Sequence, residues 1–245
     1  GVDMTATDFH RQLESGGDLL TTSQPSPAAF TDTFTNAADE GEALVGVLAA
    51  STISGTFSSA EAAAAGFDRV PIHLVDSRGA SLLEGMLVLK AAELAELGHA
   101  PGDIVLELRR IRSQSGILFT VGDYARLVAS GRVSSNQALL GQFLRINPIL
   151  GLRPDGSVTA FGKGFGRRGA RARLMRLLRD QIPRHAKQLR FGVVHVGCEH
   201  MVGEISSEIR EEYGDHIEIL SAPATPVIAT HTGIGTWGVA FLVED

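Results

Sequence analysis

Apolar residues in the first half of the chain form short runs that alternate with longer helical stretches. Residues 44–49 and 70–75 are apolar runs of strand length, residues 59–66 are alanine-rich, and residues 82–97 repeat apolar positions at helical spacing. Gly98, directly after the longer helix, is typical of a helix C-terminus. Strands that alternate with helices predict a doubly wound α/β unit with a mainly parallel sheet.

The second half has a different pattern, in which short strands outnumber helices. Pro-Asp-Gly at 154–156 lies between the apolar runs 146–153 and 157–161 and predicts a β-hairpin. Residues 168–183 combine an apolar face with outward arginines and predict an amphipathic helix. The remaining predicted elements are helices at 121–130 and 136–144 and strands at 117–121, 189–196, 217–221, 227–230 and 239–243.

Polar residues 112–115 separate the two patterns and mark a predicted domain boundary. We therefore expect an N-terminal α/β domain over residues 1–113 and a C-terminal α/β domain with a mixed sheet over residues 114–245. At ~100–150 residues per domain, a chain of 245 residues suits one large domain or two small ones.

The composition narrows the class of protein. With 44% hydrophobic and 20% charged residues, the chain has enough apolar material for a core, which excludes disorder. The single cysteine, Cys198, excludes an internal disulfide framework and a cysteine-built metal site, and it fits a reducing compartment. Neither a membrane span nor a signal peptide is visible, so we expect a cytoplasmic protein that is not an integral membrane protein.

The net charge of −6 conceals a basic segment. Of the 22 Lys and Arg residues, ten lie between Lys163 and Arg190, where the only acid is Asp180. Such a segment indicates an anionic partner. The overall acidity argues against nucleic acid, and a docking face for an acidic protein explains the cluster equally well.

Two loops carry hydroxyl groups at predicted helix starts, where anions bind. Thr22 and Ser23 precede Ser26-Pro27, a pair typical of a helix N-cap and first turn. Residues 51–56 join the first strand to its helix, and their hydroxyl and N–H groups suit an anion. Helix capping by Ser54 or Thr56 is the alternative interpretation.

Three further loops are less specific. Asp76 in its Ser-Arg-Gly turn is expected to bond the backbone rather than a metal. Gly162, Gly164 and Gly166 precede Arg167 and indicate either a mobile anion-binding loop or a solvated one. In the loop 231–238 the glycines match a dinucleotide fingerprint, but the residues that follow leave no room for the rest of that motif. We instead expect these glycines to let the backbone approach a ligand.

Six segments in this order resemble the DegV family, bacterial fatty-acid-binding proteins that serve as FakB-type subunits of fatty acid kinase. Residues 22–27, Thr-Ser-Gln-Pro-Ser-Pro, form the most specific of these motifs. The other matching segments are 53–60, 75–78, 131–134, 147–150 and 231–235. The resemblance spans nearly the whole chain and implies two α/β domains with a fatty acid buried between them.

The resemblance also implies roles for individual residues. The fatty-acid carboxylate would be held by Thr22, Ser23 and Ser54, with the Gly55 N–H and His231 nearby. This set agrees with the residue chemistry, because hydroxyls, helix-end amides and an imidazole suit a carboxylate.

A kinase partner is implied as well. Arg167 resembles the arginine that matters for phosphorylation of the bound acid, and Arg132 is a second candidate for that surface. The protein would need no cofactor and no metal and would not catalyse alone, since ATP and Mg²⁺ would bind only the kinase. Relative to the family, we expect the first domain to lack its first strand.

An enzyme of another class is the alternative. Ser54 with His231 would form the reactive pair of an ester or thioester hydrolase. The absence of a Gly-x-Ser-x-Gly nucleophile elbow argues against it.

Overall fold

A computed structural model describes residues 4–15, 20–133 and 146–245. These residues form nine helices and eight strands. The helices are α1 (Ala6–Glu14), α2 (Pro27–Ala38), α3 (Thr56–Ala64), α4 (Leu82–Glu96), α5 (Pro101–Gln114), α6 (Tyr124–Ala129), α7 (Gly166–Gln181), α8 (His200–Tyr213) and α9 (Pro226–Thr232). The strands are β1 (Leu44–Leu48), β2 (Ile72–Asp76), β3 (Gly116–Thr120), β4 (Ile146–Leu152), β5 (Val158–Phe165), β6 (Leu189–His195), β7 (Glu218–Pro223) and β8 (Trp237–Val243).

The first half contains a small parallel sheet with helices on both faces. β1 and β2 pair in parallel from Leu44↔Ile72 to Leu48↔Asp76. Alternate side chains of β1 point to opposite faces, so Leu44 and Leu48 pack with α2 and α3, whereas Val47 packs with α4 and α5. The predicted doubly wound arrangement is therefore confirmed.

The second half forms a six-stranded sheet in the order β5-β4-β3-β8-β6-β7. Only β6 and β7 are parallel and the other neighbours are antiparallel, which confirms the mixed sheet. One face carries α7 and α8, and the other faces α4 and α5. Because α4 and α5 contact both sheets, one apolar core is continuous between them. The division at residues 113 and 114 falls at the end of α5 and stays a prediction.

Two predictions of local structure are wrong. Residues 227–230 are predicted as a strand but lie in α9. Pro226 occupies the first turn of this helix, and Gly233, with a φ of +76°, terminates it. Gly162 and Gly164 belong to β5 rather than to a mobile loop. A Cβ on Gly164 would lie 2.4 Å from the Ala170 nitrogen, so this glycine lets α7 pack on the strand.

Some elements were not predicted, and one prediction has no test. The sequence pattern did not predict the helices α5 and α8, although Pro101, in the first turn of α5, is of a residue type common there. The helix predicted at 136–144 lies outside the described residues.

The basic segment is partly neutralised within the fold. Arg171 of α7 pairs with Glu204 and Glu208 of α8. Similarly, Arg179 lies 3.2 Å from Glu212, which is 33 residues away along the chain. Arg190 is buried and pairs with Glu93, Glu218 and Glu244. An external anion is therefore not needed to explain these three arginines.

Candidate functional site

A cavity of about 770 Å³ lies between the α4 side of the small sheet and the six-stranded sheet. Its wall is mainly apolar, with Ile117 and Phe119 from β3, Leu152 from β4, Val158 from β5 and Val194 from β6. The volume lies in the range of small-molecule and cofactor sites. The fold thus provides a largely apolar cavity for an apolar ligand.

The cavity collects most of the residues that the sequence singled out. Thr22, Ser23, Ser54, Gly55 and His231 all line it, although they come from three distant segments. The resemblance implies that these five residues bind one carboxylate, which stays a prediction. The structure places all five on the wall of one cavity, where Thr22 and His231 are in direct contact. Within the described residues, no group of three or more His, Cys, Asp or Glu is placed to hold a metal ion.

Thr22 and His231 form the central polar contact. The Oγ1 atom of Thr22 lies 2.7 Å from Nε2 of His231, which occupies the last turn of α9. Burial lowers the pKa of His231, and the charge of Arg132 lowers it further. His231 is therefore neutral at pH 7, and one of its ring nitrogens carries a proton while the other accepts.

Ser54 is hydrogen-bonded within its own turn. Its Oγ lies 2.8 Å from Oγ1 of Thr56 and accepts the Thr56 backbone N–H at 3.2 Å. Gly55 is the N-cap of α3 and forms no side-chain cap bond. Because a Cβ at Gly55 would come within 2.9 Å of the Gln24 side chain, glycine lets the 22–27 loop lie close to α3.

This geometry bears on the hydrolase alternative. A serine nucleophile needs its hydroxyl bonded to a base. Here Ser54 bonds Thr56, and His231 bonds Thr22. The observed contacts therefore favour binding over nucleophilic attack by Ser54.

The two predicted arginines lie in different places. Arg132 lines the cavity, donates to the Ser130 carbonyl at 2.6 Å and reaches the Ile53 carbonyl at 3.4 Å. Arg167 is exposed at the start of α7, where its Nη1 lies 2.9 Å from Nε2 of His200. Of these two arginines, Arg132 is the one that lies on the cavity wall.

Two other loops have structural roles. The carboxylate of Asp76 accepts the Ser51 hydroxyl and the Arg78 N–H, each at 2.7 Å, as predicted for a turn carboxylate. Gly233 and Gly235 adopt φ +76° and +92° and pack against the 122–123 backbone. These glycines let two protein segments approach each other, and the expectation that they also approach a ligand stays a prediction.

Several further threonines line the cavity. Thr56, Thr232 and Thr236 lie in loops that the sequence singles out, whereas Thr225 does not, and its position before a helix start was the available signal. Glu84, in the first turn of α4, also lines the cavity. Burial raises the pKa of Glu84 to about 7, against the opposing effect of the Ala49 N–H that its carboxylate accepts. Nothing in the local sequence marks Glu84 as buried.

The fold and the site define an α/β protein with a largely apolar cavity that carries hydroxyl, imidazole and guanidinium groups on its wall. The chain belongs to the DegV family, whose sequence profile matches residues 1–244. It is 32% identical over 241 residues to Protein DegV of Bacillus subtilis, covering 98% of this chain and 85% of that protein. A DegV domain-containing protein of Deinococcus radiodurans is 32% identical over 244 residues, with 98% and 84% covered.

Solved structures agree with this assignment. A fatty-acid-binding DegV family protein from Thermus thermophilus superposes with a TM-score of 0.90 at 32% identity, covering 98% of this chain and 85% of that one. DegV of Bacillus subtilis, a fatty acid binding protein, has a TM-score of 0.87 at 31% identity, with 99% and 85% covered. In the part of the chain that the structure describes, no helix is long and apolar enough to cross a membrane.

Proposed function

We propose that this protein is a carrier that buries a long-chain fatty acid and presents its carboxylate to an ATP-dependent fatty acid kinase. The observation that carries this proposal is the Thr22–His231 contact on the wall of a largely apolar cavity of about 770 Å³, which Ser54 also lines. The solved relatives from Thermus thermophilus and Bacillus subtilis, which bind fatty acids, support it.

The polar groups suit a carboxylate. In the tautomer of neutral His231 that carries its proton on Nε2, the imidazole donates to the Thr22 oxygen, and the Thr22 O–H is then free to donate to a ligand oxygen. Ser23, Ser54 and the Gly55 N–H supply further donors, and hydrogen bonds to the charged form stabilise it. Arg132 adds the positive charge that neutral donors lack.

The apolar wall suits the acyl chain. Burial of a hydrocarbon chain contributes about 0.8 kcal/mol per CH₂, so affinity comes mainly from the tail. The polar cluster then sets the orientation of the acid rather than most of its binding free energy. An oriented carboxylate is what a phosphorylating partner requires.

The partner would supply ATP and Mg²⁺, and this protein would supply the acceptor and a docking surface. A carboxylate oxygen attacks the γ-phosphorus, the bond to ADP breaks, and an acyl phosphate forms. We assign Arg167 to this surface, beside Phe165, whose exposed fraction of 67% is high for an aromatic side chain. We place the carrier in the bacterial cytoplasm, where the free Cys198 stays reduced.

Native mass spectrometry tests the carrier function. Protein purified under mild conditions is measured directly, and delipidated protein is measured after addition of octadecanoic acid. We expect a one-to-one complex in the second sample at least. If neither sample contains lipid, the carrier function is wrong.

A further inference from the structure

Two exposed side chains meet where α7 and α8 begin. Nη1 of Arg167 lies 2.9 Å from Nε2 of His200, the first residue of α8. A guanidinium has only donors, so Arg167 donates and Nε2 of His200 accepts. The imidazole in this contact is therefore neutral, with its proton on Nδ1. In the part of the chain that the structure describes, the Arg167 side chain forms no other hydrogen bond and no ion pair.

This contact is the first in a row of contacts between α7 and α8. Arg171 pairs with Glu204, and Arg179 lies 3.2 Å from Glu212. In both pairs, as in the contact above, the partner follows 33 residues later in the chain. A constant separation means that the two helices run side by side in the same direction. The arginines of the row are four and eight residues apart and share one face of α7.

The first contact of the row differs from the other two in charge. A glutamate neutralises the arginine with which it pairs. The neutral imidazole of His200 accepts a hydrogen bond from Arg167 and leaves the full positive charge on the guanidinium. The row therefore consists of two ion pairs within the fold and, at the start of both helices, an arginine that is held in place but stays charged.

His200 itself is on a firmly held part of the backbone. The next residue, Met201, is buried, and its N–H donates to the Cys198 carbonyl at 3.0 Å. Cys198 is also buried, and its Sγ donates to the Thr236 carbonyl at 3.1 Å. These bonds fix the start of α8 to the loop before β8. The acceptor for Arg167 is therefore anchored to the core although its side chain is exposed.

We propose that His200 is a positioning residue, which holds Arg167 in place and charged for a carboxylate on the kinase partner. The inference rests on the proposed function, in which Arg167 belongs to the docking surface. A free arginine side chain loses conformational entropy when it docks, and a prearranged one loses less. A glutamate in place of His200 would hold the guanidinium equally well but would occupy it with an internal ion pair.

Steady-state phosphorylation tests this inference with the full chain loaded with octadecanoic acid and a bacterial fatty acid kinase catalytic subunit. ADP formation gives the KM for the loaded carrier and kcat separately. His200→Glu converts the contact into an ion pair, His200→Gln keeps a neutral acceptor, and His200→Ala removes the acceptor. Ser207→Glu adds the same charge at an exposed position of α8 and is the matched control.

We expect His200→Glu to raise the KM about tenfold or more and His200→Ala to raise it several-fold. In His200→Gln and Ser207→Glu the KM should stay within about twofold of the native value, and kcat should change little in all four. His200→Glu should be no less stable to heat than the native protein, because it gains an ion pair. The affinity for octadecanoic acid should stay unchanged, since residue 200 is not on the cavity wall.

Three results would overturn the role of His200. They are an unchanged KM for His200→Glu or for His200→Ala, an equal rise for Ser207→Glu and His200→Glu, and an equal rise for His200→Gln and His200→Ala. In each case the native protein is still phosphorylated, so the carrier function stands. If the loaded native protein gives no ADP formation above that of the kinase alone, presentation to a kinase is wrong, and this inference with it.

Discussion

Thr22 Oγ1 and His231 Nε2 are in hydrogen-bonding contact at 2.7 Å although 209 residues separate them in the chain. The contact joins the loop before α2 to the end of α9 and leaves the Thr22 hydroxyl oriented by a neutral imidazole. Fatty-acid binding in the proposed site depends on this pair acting together.

Loss of His231 should weaken fatty-acid binding. His231→Ala removes the group that orients the Thr22 hydroxyl, and we expect the dissociation constant for octadecanoic acid to rise about tenfold. Thr22→Val should have a similar effect, and the double variant should be no worse than either single one, because both remove the same contact. Titration calorimetry measures this, with the exposed His99→Gln as control. Additive losses would contradict the shared contact.

Ser54→Ala separates the carrier from the hydrolase. It removes a proposed donor to the ligand, so fatty-acid affinity should fall several-fold. Hydrolysis of ester and thioester substrates should stay at background in both the native protein and the variant, because Ser54 bonds Thr56 and not His231. Turnover by the native protein that disappears in Ser54→Ala would instead support the hydrolase.

Arg167 should matter for phosphorylation but not for binding. The residue is exposed and outside the cavity wall, so Arg167→Ala should leave the affinity for octadecanoic acid unchanged. With a bacterial fatty acid kinase catalytic subunit, ADP formation should fall at least tenfold. Arg176→Ala, an exposed arginine on the same helix, is the control. Equal rates for both variants would remove Arg167 from the proposed surface.

Glu84 should make stability depend on pH. Because the folded protein raises its pKa from 4.5 to about 7, the neutral form stabilises the fold fully below 4.5, and this contribution disappears as the pH rises through 7. The native free energy of unfolding relative to Glu84→Gln should therefore fall by roughly 3 kcal/mol across that range. Buried His231 and His195 act in the opposite direction, but they are common to both proteins. Urea denaturation from about pH 5 to about pH 8 measures the difference, and parallel pH profiles would contradict it.

Gly164 should tolerate no side chain. A Cβ there would lie 2.4 Å from the Ala170 nitrogen, so Gly164→Ala should destabilise the protein by about 1–3 kcal/mol. Gly169→Ala is the matched control, because the nearest atoms are 3.9 Å away and alanine favours a helix. The melting temperature should fall for Gly164→Ala and rise for Gly169→Ala, relative to the native protein. An unchanged melting temperature for Gly164→Ala would show that α7 shifts without loss of stability.

Local signals alone were sufficient for several elements. The strands β1 and β2 and the long helix α4 were predicted because their apolar spacing extends over enough residues to have a clear period. Turn chemistry was equally informative: Gly98 and Gly156 adopt φ +83° and +88°, as expected after a helix and in a tight hairpin. The hydroxyl loops and His231 were also found as candidates from the sequence, through their residue types and the family resemblance.

Other features depend on contacts between distant segments. The run 227–230 is too short to have a period of its own, and Pro226 and Gly233 bound it as a helix in the folded chain. The positive charge of α7 is partly neutralised by three glutamates of α8, about 33 residues later in the chain: Glu204, Glu208 and Glu212. The sequence pattern does not show this pairing, because it arises only where the two helices pack together.

The cavity shows most clearly how a feature depends on contacts between distant segments. The sequence by itself determined the residue types that suit an anion and the apolar strands that suit a chain. Tertiary structure alone decided that Arg132 and Glu84 line the cavity and that Arg167 does not. Burial and electrostatic environment are properties of the packing of distant elements, and no local pattern of residues encodes them.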